Sequence, residues 1–171
     1  MTDRIDLLRA AFRSVRERHP FTLDAVVVLP DHLHAVWTLP EGDADFALRR
    51  RLIKTMFSRG LLSGERISPS RMRKGERGIW QRRYWEHTIR DPGDFARHFD
   101  YVRFNPVKHG HVAQVKDWPY SSFHRMVRIG AYPEDWPGDS SEVTSGFGER
   151  VMGFAPLNPS YGAVGRVEPA E

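Results

Sequence analysis

The stretch that decides the fold is VVLPDHLHAVWTLP, residues 27–40. β-branched and apolar residues fill both of its ends, and Pro30-Asp31 separates them. Two such runs joined by a tight Pro-Asp turn are typical of a β-hairpin. We therefore predict two antiparallel strands, over residues 21–29 and 32–39.

Four segments around this hairpin have the three- and four-residue apolar spacing of amphipathic helices. They cover residues 3–18, 46–60, 92–105 and 118–129. The expected N-caps of the first three are Thr2 or Asp3, Asp43 or Asp45, and Asp91. The third helix is expected to stop at Asn105, because the residue before a proline is disfavoured in the helical region.

The remaining segments carry weaker patterns. Residues 61–79 have many helix breakers and predict a basic loop, and a third strand is expected near Tyr84–Thr88. Ten of the last 35 residues are Gly or Pro. We therefore predict one domain over residues 1–136 and a tail without regular structure over residues 137–171.

The composition excludes several classes of protein. The chain of 171 residues has no cysteine, which rules out disulfides, thiolate zinc sites and cysteine nucleophiles. It has no apolar run of about eighteen residues that would span a membrane, and its charged N-terminus is unlike a signal peptide. The expected location is the cytoplasm, without a membrane partner.

The charge is unevenly distributed. The chain has 26 Lys and Arg against 22 Asp and Glu, but residues 49–90 hold thirteen basic residues and only three acids. Such a local excess favours a polyanionic partner such as nucleic acid. A solvated basic face is the alternative that charge alone leaves open.

Two histidines of the second predicted strand fall on one face. Side chains alternate along a strand, so His32 and His34 lie side by side and could offer two ligands to a divalent metal. The alternative is a pair of partly exposed histidines on an edge strand. Without cysteine, a hard cation such as Mg²⁺ or Mn²⁺ fits this chemistry better than a structural zinc ion.

The third predicted helix has a polar face beside its apolar stripe. Asp94, His98, Tyr101 and Asn105 recur on it at helical spacing. With a metal at His32 and His34, Tyr101 could attack a phosphodiester and form a covalent phosphotyrosine. An amphipathic tyrosine with only a packing role is the alternative for this residue.

The sequence resembles the REP-associated tyrosine transposases, a branch of the single-tyrosine HUH transposases. The resemblance spans roughly residues 4–136, and its motifs are VVLPDHLHAVWTLP (27–40), KGERGIWQRRYWEHTIRD (74–91), HFDYVRFNPVKHG (98–110) and DWPYSSFHRMVRIGAYPEDW (117–136). It implies an α+β, ferredoxin-like antiparallel sheet with helices packed on one face. The family's aromatic-rich first strand has no counterpart before the first helix. We therefore expect the sheet to lack it, unless it is encoded upstream or another segment fills its place.

The resemblance also implies roles for individual residues. His32 and His34 match the metal motif, Tyr101 the nucleophile and Asn105 a third metal ligand. Family members cleave single-stranded DNA beside palindromic repeats that fold into hairpins, and this branch acts as monomers. The implied DNA contacts are Arg73, Lys74, Arg77, Trp80, Arg82, Arg83 and Lys108.

Two other functions remain open from the sequence. The first is a DNA-binding protein derived from such a transposase and impaired in catalysis, which the expected lack of the first strand would explain. The second is a metal-dependent hydrolase that uses water. Against this second function, the sequence has no cluster of carboxylates beside the two histidines, which such a site would ordinarily have.

Overall fold

The computed structural model describes residues 1–62, 67–80 and 86–138, together with the backbone of residues 153–154. Its elements are α1 (Ile5–Arg18), β1 (Thr22–Val28), β2 (Leu33–Thr38), α2 (Phe46–Arg59), α3 (Pro69–Met72), α4 (Pro92–Lys108), α5 (Phe123–Arg128) and β3 (Gly153–Phe154). Short 3₁₀ turns cover Thr2–Arg4 and Val115–Asp117. None of the helices in these described ranges combines the length and the hydrophobicity that a membrane span requires.

The predicted hairpin is confirmed. β1 and β2 pair antiparallel, with Val27 opposite His34, and the Leu29 N–H donates to the His32 carbonyl across the turn at 2.8 Å. Gly153 of β3 pairs with His34 from the other side, so β2 is the middle strand. β3 falls within the segment predicted to lack regular structure, and residues 139–152 and 155–171 lie outside the described part of the chain.

The α+β class and the antiparallel sheet are confirmed, but helices cover both faces of the hairpin rather than one. Leu33 and Ala35 pack with α1 and α2, whereas Val27 and Val36 pack with α4 and α5. The reason is the alternation of side chains along each strand. Both faces of this hairpin carry apolar residues, and both must be removed from water.

The two helices on the first face begin differently from each other. The Asp45 side chain caps α2 by accepting a hydrogen bond from the Leu48 N–H at 3.0 Å, as predicted. The predicted cap of α1 by Thr2 or Asp3 is wrong, because a 3₁₀ turn precedes this helix and its N-cap, Arg4, makes no side-chain cap hydrogen bond.

Helix α4 begins where the sequence predicts and ends later. The Asp91 side chain accepts a hydrogen bond from the Asp94 N–H at 2.8 Å, and Pro92 occupies the first turn. The predicted stop at Asn105 is wrong, because the helix continues through Pro106 to Lys108. Proline removes one backbone hydrogen bond. Pro106 and the residues before it are buried, and that packing overrides the local preference.

Three smaller expectations need correction. The third strand near Tyr84–Thr88 is not formed over residues 86–88, which have no regular structure, and residues 81–85 lie outside the described ranges. The basic loop contains one helical turn, α3. The helix expected over 118–129 shrinks to α5, because residues 120–122 instead extend beside β1. There the Tyr120 backbone carbonyl accepts a hydrogen bond from the Val28 N–H at 2.9 Å, which satisfies a backbone group at the edge of the sheet.

Candidate active site

The histidine pair sits where β2 leaves the hairpin turn. The rings of His32 and His34 lie 4.9 Å apart, centroid to centroid, at nearly right angles. His34 is buried and His32 is half-buried. The rigid strand and the tight turn thus hold two imidazoles close enough to bind one ion.

Asp31 orients the first of these rings. Its carboxylate oxygen lies 2.7 Å from His32 Nδ1. Burial opposes ionisation of Asp31, but hydrogen bonding and charge from His32 outweigh it and lower the pKa of the carboxyl. An ionised carboxylate can only accept, so Nδ1 carries the hydrogen and Nε2 keeps its lone pair for a ligand. The sequence predicts only a turn role for Asp31, although its position next to His32 indicates that it can orient that ring.

Helix α4 brings Tyr101 to the same face as the histidines. The Tyr101 ring lies 5.6 Å from the His34 ring, nearly perpendicular to it, and the residue is only 3% exposed. The phenol oxygen accepts a hydrogen bond from Lys108 Nζ at 3.2 Å. The structure therefore places Lys108, which the resemblance implied as a DNA contact, beside the predicted nucleophile.

Asn105 lies one turn beyond Tyr101 on the same helix face and is fully buried. Neither its amide oxygen nor its amide nitrogen has a hydrogen-bond partner among the described residues. A buried amide left unsatisfied costs about 1–3 kcal/mol, so a water molecule or an ion is the kind of partner that such a group takes. A carbonyl-type oxygen together with two imidazoles is a donor set that a divalent cation accepts, so these residues fit the metal that the sequence predicts.

A further histidine joins the site from the C-terminal end of α4. The His109 ring lies 5.4 Å from the His32 ring. Burial is the main cause that lowers the pKa of His109, and electrostatic interactions with His32 and Lys108 add to it. Sequence reasoning missed this residue, because it follows the predicted end of the helix.

A second group of potential metal ligands lies at the other end of α4. His87, Asp94 and His98 place their ligand atoms within 4.8 Å of one another. Asp94 Oδ2 lies 2.6 Å from His87 Nε2, and Asp94 Oδ1 lies 3.1 Å from His98 Nδ1. The two imidazole rings stack at 4.5 Å. The sequence placed Asp94 and His98 on the face of Tyr101 but gave no sign that His87 joins them.

Hydrogen bonds within this second group fix its protonation. Burial opposes ionisation of Asp94, but hydrogen bonds from His87 and the Arg90 N–H outweigh it and lower the carboxyl pKa. His98 Nδ1 lies 2.8 Å from the backbone carbonyl of Asp94, which can only accept. Burial in turn lowers the pKa of His98 and keeps its ring neutral. The group is held together by hydrogen bonds between its own members.

The basic residues implied as DNA contacts have mixed environments. Arg73 and Lys74 are exposed just after α3. The Arg77 guanidinium instead donates to the carbonyls of Ser58, Leu61 and Leu62 at the end of α2. Arg82 and Arg83 lie outside the described residues.

Trp80 borders an open basic groove of about 1020 Å³ between α2 and the segment 75–80. Its indole N–H donates to Ser58 Oγ at 2.8 Å, and its ring packs on the core. Lys54 Nζ lies 5.1 Å from that ring, and burial, with the charge of Arg50, lowers the Lys54 pKa to about 8. Arg50, Arg51 and Arg77 also line this groove.

Comparison with known proteins identifies the family. A Haemophilus influenzae protein bearing the name REP-associated tyrosine transposase is 50% identical over 140 residues, which cover 81% of this chain and 80% of the relative. The REP-associated tyrosine transposase of Escherichia coli K12 is 45% identical over 152 residues, covering 89% of this chain and 83% of the relative. The chain belongs to the REP-associated tyrosine transposases. No protein-family model matches it.

A solved structure agrees with the assignment. It shows a REP-associated tyrosine transposase bound to a REP hairpin and matches this transposase with a TM-score of 0.71 at 47% identity. The match covers 88% of this chain and 82% of the solved one. The family, the α+β class and the antiparallel sheet that the resemblance implied are thereby confirmed for this transposase.

Proposed function

We propose that this transposase cleaves and rejoins single-stranded DNA beside a hairpin, with Tyr101 as the nucleophile and a divalent metal held by His32, His34 and Asn105. The observation that carries the proposal is the packing of the Tyr101 ring 5.6 Å from the His34 ring, on the helix that also buries Asn105. A nucleophile and a set of metal ligands are thus supplied by two adjacent, rigid elements.

The reaction exchanges one phosphodiester for another. The Tyr101 oxygen attacks the phosphorus, the bond from phosphorus to the 3′ oxygen breaks, and that oxygen takes up the proton that the phenol gives up through solvent. The product is a 5′-phosphotyrosine and a free 3′ hydroxyl. The reverse attack rejoins DNA without ATP. A bound Mg²⁺ or Mn²⁺ would neutralise charge on the phosphate oxygens.

The residues of this chain prepare that site. Asp31 fixes the ring of His32, and the strand holds His34 beside it. Tyr101 is only 3% exposed, and its packing against His34 fixes the position of its ring. We assign the metal to this site rather than to His87, Asp94 and His98, because those residues already hydrogen-bond to one another, whereas the Tyr101 ring packs against His34.

We assign hairpin binding to the basic groove at α2 and to the exposed Arg73 and Lys74. Phosphate contacts from arginine and lysine supply affinity without reading sequence. The solved relative is bound to a REP hairpin, which supports a palindromic hairpin as the partner here. Acting on chromosomal repeats, the protein would work in the cytoplasm on the nucleoid, as a monomer, with its chemistry in residues 1–136.

The test uses the full chain and a labelled single strand that carries a hairpin, with Mn²⁺, resolved on a denaturing gel. We expect a covalent protein–DNA adduct that Tyr101→Phe abolishes, while hairpin binding in a gel shift persists. Tyr120→Phe is the matched control and should retain the adduct. Adduct formation by Tyr101→Phe would overturn the assignment. Hairpin binding by the unaltered protein without any cleavage would favour the DNA-binding function instead.

A further inference from the structure

The last turn of α4 places a cation on the proposed nucleophile. Lys108 Nζ donates to the Tyr101 phenol oxygen at 3.2 Å and lies 4.7 Å from the centre of the tyrosine ring. Tyr101 is buried, whereas the Lys108 side chain reaches it from an exposed position. We propose that Lys108 positions Tyr101 and stabilises negative charge on its oxygen during cleavage and rejoining, an inference that rests on the proposed function.

The geometry of α4 places Lys108 on the same helix face as Tyr101. Residues seven apart in a helix lie two turns along on the same face. Lys108 reaches Tyr101 in this way only because the helix continues through Pro106. A helix that ended at Asn105 would release Lys108 from that face. The buried proline thus keeps the nucleophile, the amide of Asn105 and the ammonium in one line.

The charge on the tyrosine oxygen explains what an ammonium does there. In cleavage this oxygen gives up a proton and bonds to phosphorus. In rejoining the bond from that oxygen to phosphorus breaks, and the phenolate leaves. An ammonium at hydrogen-bonding distance lowers the energy of the negative oxygen in both directions and is not consumed. Lys108 therefore acts on both half-reactions.

A phosphate-contact role for Lys108 predicts a different pattern. A lysine that only neutralises a DNA phosphate contributes to affinity and to its salt dependence. A lysine that holds the nucleophile contributes to the rate constant at saturating protein and leaves the Kd unchanged. The two roles are therefore separated by measuring binding and single-turnover chemistry on the same variant.

The experiment compares Lys108→Met and Lys108→Arg with the control variant Lys116→Met. Lys116 is an exposed lysine of the Val115–Asp117 turn. With Mn²⁺ and saturating protein, we expect Lys108→Met to slow cleavage and rejoining equally, by about 100-fold, with the hairpin Kd within about twofold. Lys108→Arg should recover at least about tenfold of the rate, because it restores the cation. Lys116→Met should match the unaltered protein.

A cleavage rate for Lys108→Met equal to that of the unaltered protein would overturn the proposal. So would a weaker Kd and a shallower salt dependence at an unchanged saturated rate, since that is the signature of a phosphate contact. Cleavage by Tyr101→Phe would instead refute the nucleophile itself, so the two failures are distinguishable.

Discussion

The two ends of α4 carry polar clusters of opposite character. At its N-terminal end, the Asp94 carboxylate lies within hydrogen-bonding distance of His87 and accepts from the Arg90 N–H. At its C-terminal end, the buried amide of Asn105 has no hydrogen-bond partner among the described residues. The hydrogen bonds at the first end therefore run largely between the members of the cluster, whereas the second end holds a buried amide without one among the described residues.

The difference in hydrogen bonding suggests that one cluster stabilises the fold and that the other binds a ligand. Buried polar groups that bond to one another stabilise a fold or cost it little, whereas an unsatisfied one is a net cost. Such a cost is typical of sites that bind a ligand. We therefore infer that the N-terminal cluster holds α4 and the segment before it together, and that the C-terminal cluster carries the proposed chemistry.

The sharpest way to break the comparison is to remove one histidine from each end. His34→Ala should lower Mn²⁺-dependent cleavage by roughly a thousandfold, the upper range for losing a group that stabilises transition-state charge. His87→Gln, at a half-buried position of the other cluster, should change the rate by less than about threefold. Initial rates at saturating Mn²⁺ decide. An equally large loss of activity in His87→Gln would contradict this prediction, because it would indicate that the metal binds at the N-terminal end of α4.

Asp94→Asn tests whether the N-terminal cluster is a stabilising one. The change removes the charge that the His87 and His98 rings face, and we expect the free energy of unfolding to fall by about 2 kcal/mol. Asp117→Asn, on an exposed turn, should stay within about 0.5 kcal/mol. Urea unfolding followed by tryptophan fluorescence gives both values. Equal stability of the two variants would contradict the assigned role.

Asn105→Leu tests the opposite end. Leucine removes the unsatisfied amide while keeping a similar shape, so the free energy of unfolding should rise by about 1 kcal/mol. Covalent adduct formation should be lost, because the proposed third ligand is gone. Stability from urea unfolding and adduct yield from a denaturing gel are measured on one preparation. A marked loss of stability would show that the amide has structural partners.

The smallest expected effect is the pH dependence of the free energy of unfolding, which depends on the N-terminal cluster. Burial lowers the pKa of His98, against the opposing pull of Asp94, while His87 and Arg97 add positive charge nearby. The unfolded chain then takes up a proton near its ordinary pKa of about 6.5, and the folded chain does not. This contribution is complete above about pH 6.5 and is lost as the pH falls through the folded-state pKa.

The corresponding measurement is urea unfolding at pH 7.5 and pH 5.5. We expect the unaltered protein to lose stability over this interval and His98→Gln to lose less. Part of the loss should remain in the variant, because burial also lowers the pKa of His109. An identical loss in both proteins would show that His98 does not titrate in the way we describe.

Much of the site could be predicted because its signals are local. The side-by-side placement of His32 and His34 follows from strand alternation, and the caps at Asp45 and Asp91 follow from residue type. The spacing of Tyr101 and Asn105 follows from helical periodicity. None of these requires knowledge of what packs against the element.

The remainder depends on tertiary packing. The continuation of α4 through Pro106 depends on burial, which local sequence rules do not predict. The contact of Lys108 with Tyr101 depends on that continuation. The approach of His87 to Asp94 depends on how the irregular segment before α4 folds back. The strand expected near Tyr84–Thr88 is absent over residues 86–88 for the same reason, since a local sequence pattern does not supply a pairing partner.

The most direct test of the central claim is to locate the covalent bond to DNA. The adduct formed with Mn²⁺ on a hairpin-bearing single strand is digested with protease and nuclease, and the modified peptide is sequenced by mass spectrometry. Our account predicts a single nucleotide phosphate on Tyr101. Attachment at another tyrosine, such as Tyr120 or Tyr132, or cleavage of DNA with no attached residue at all, would contradict it.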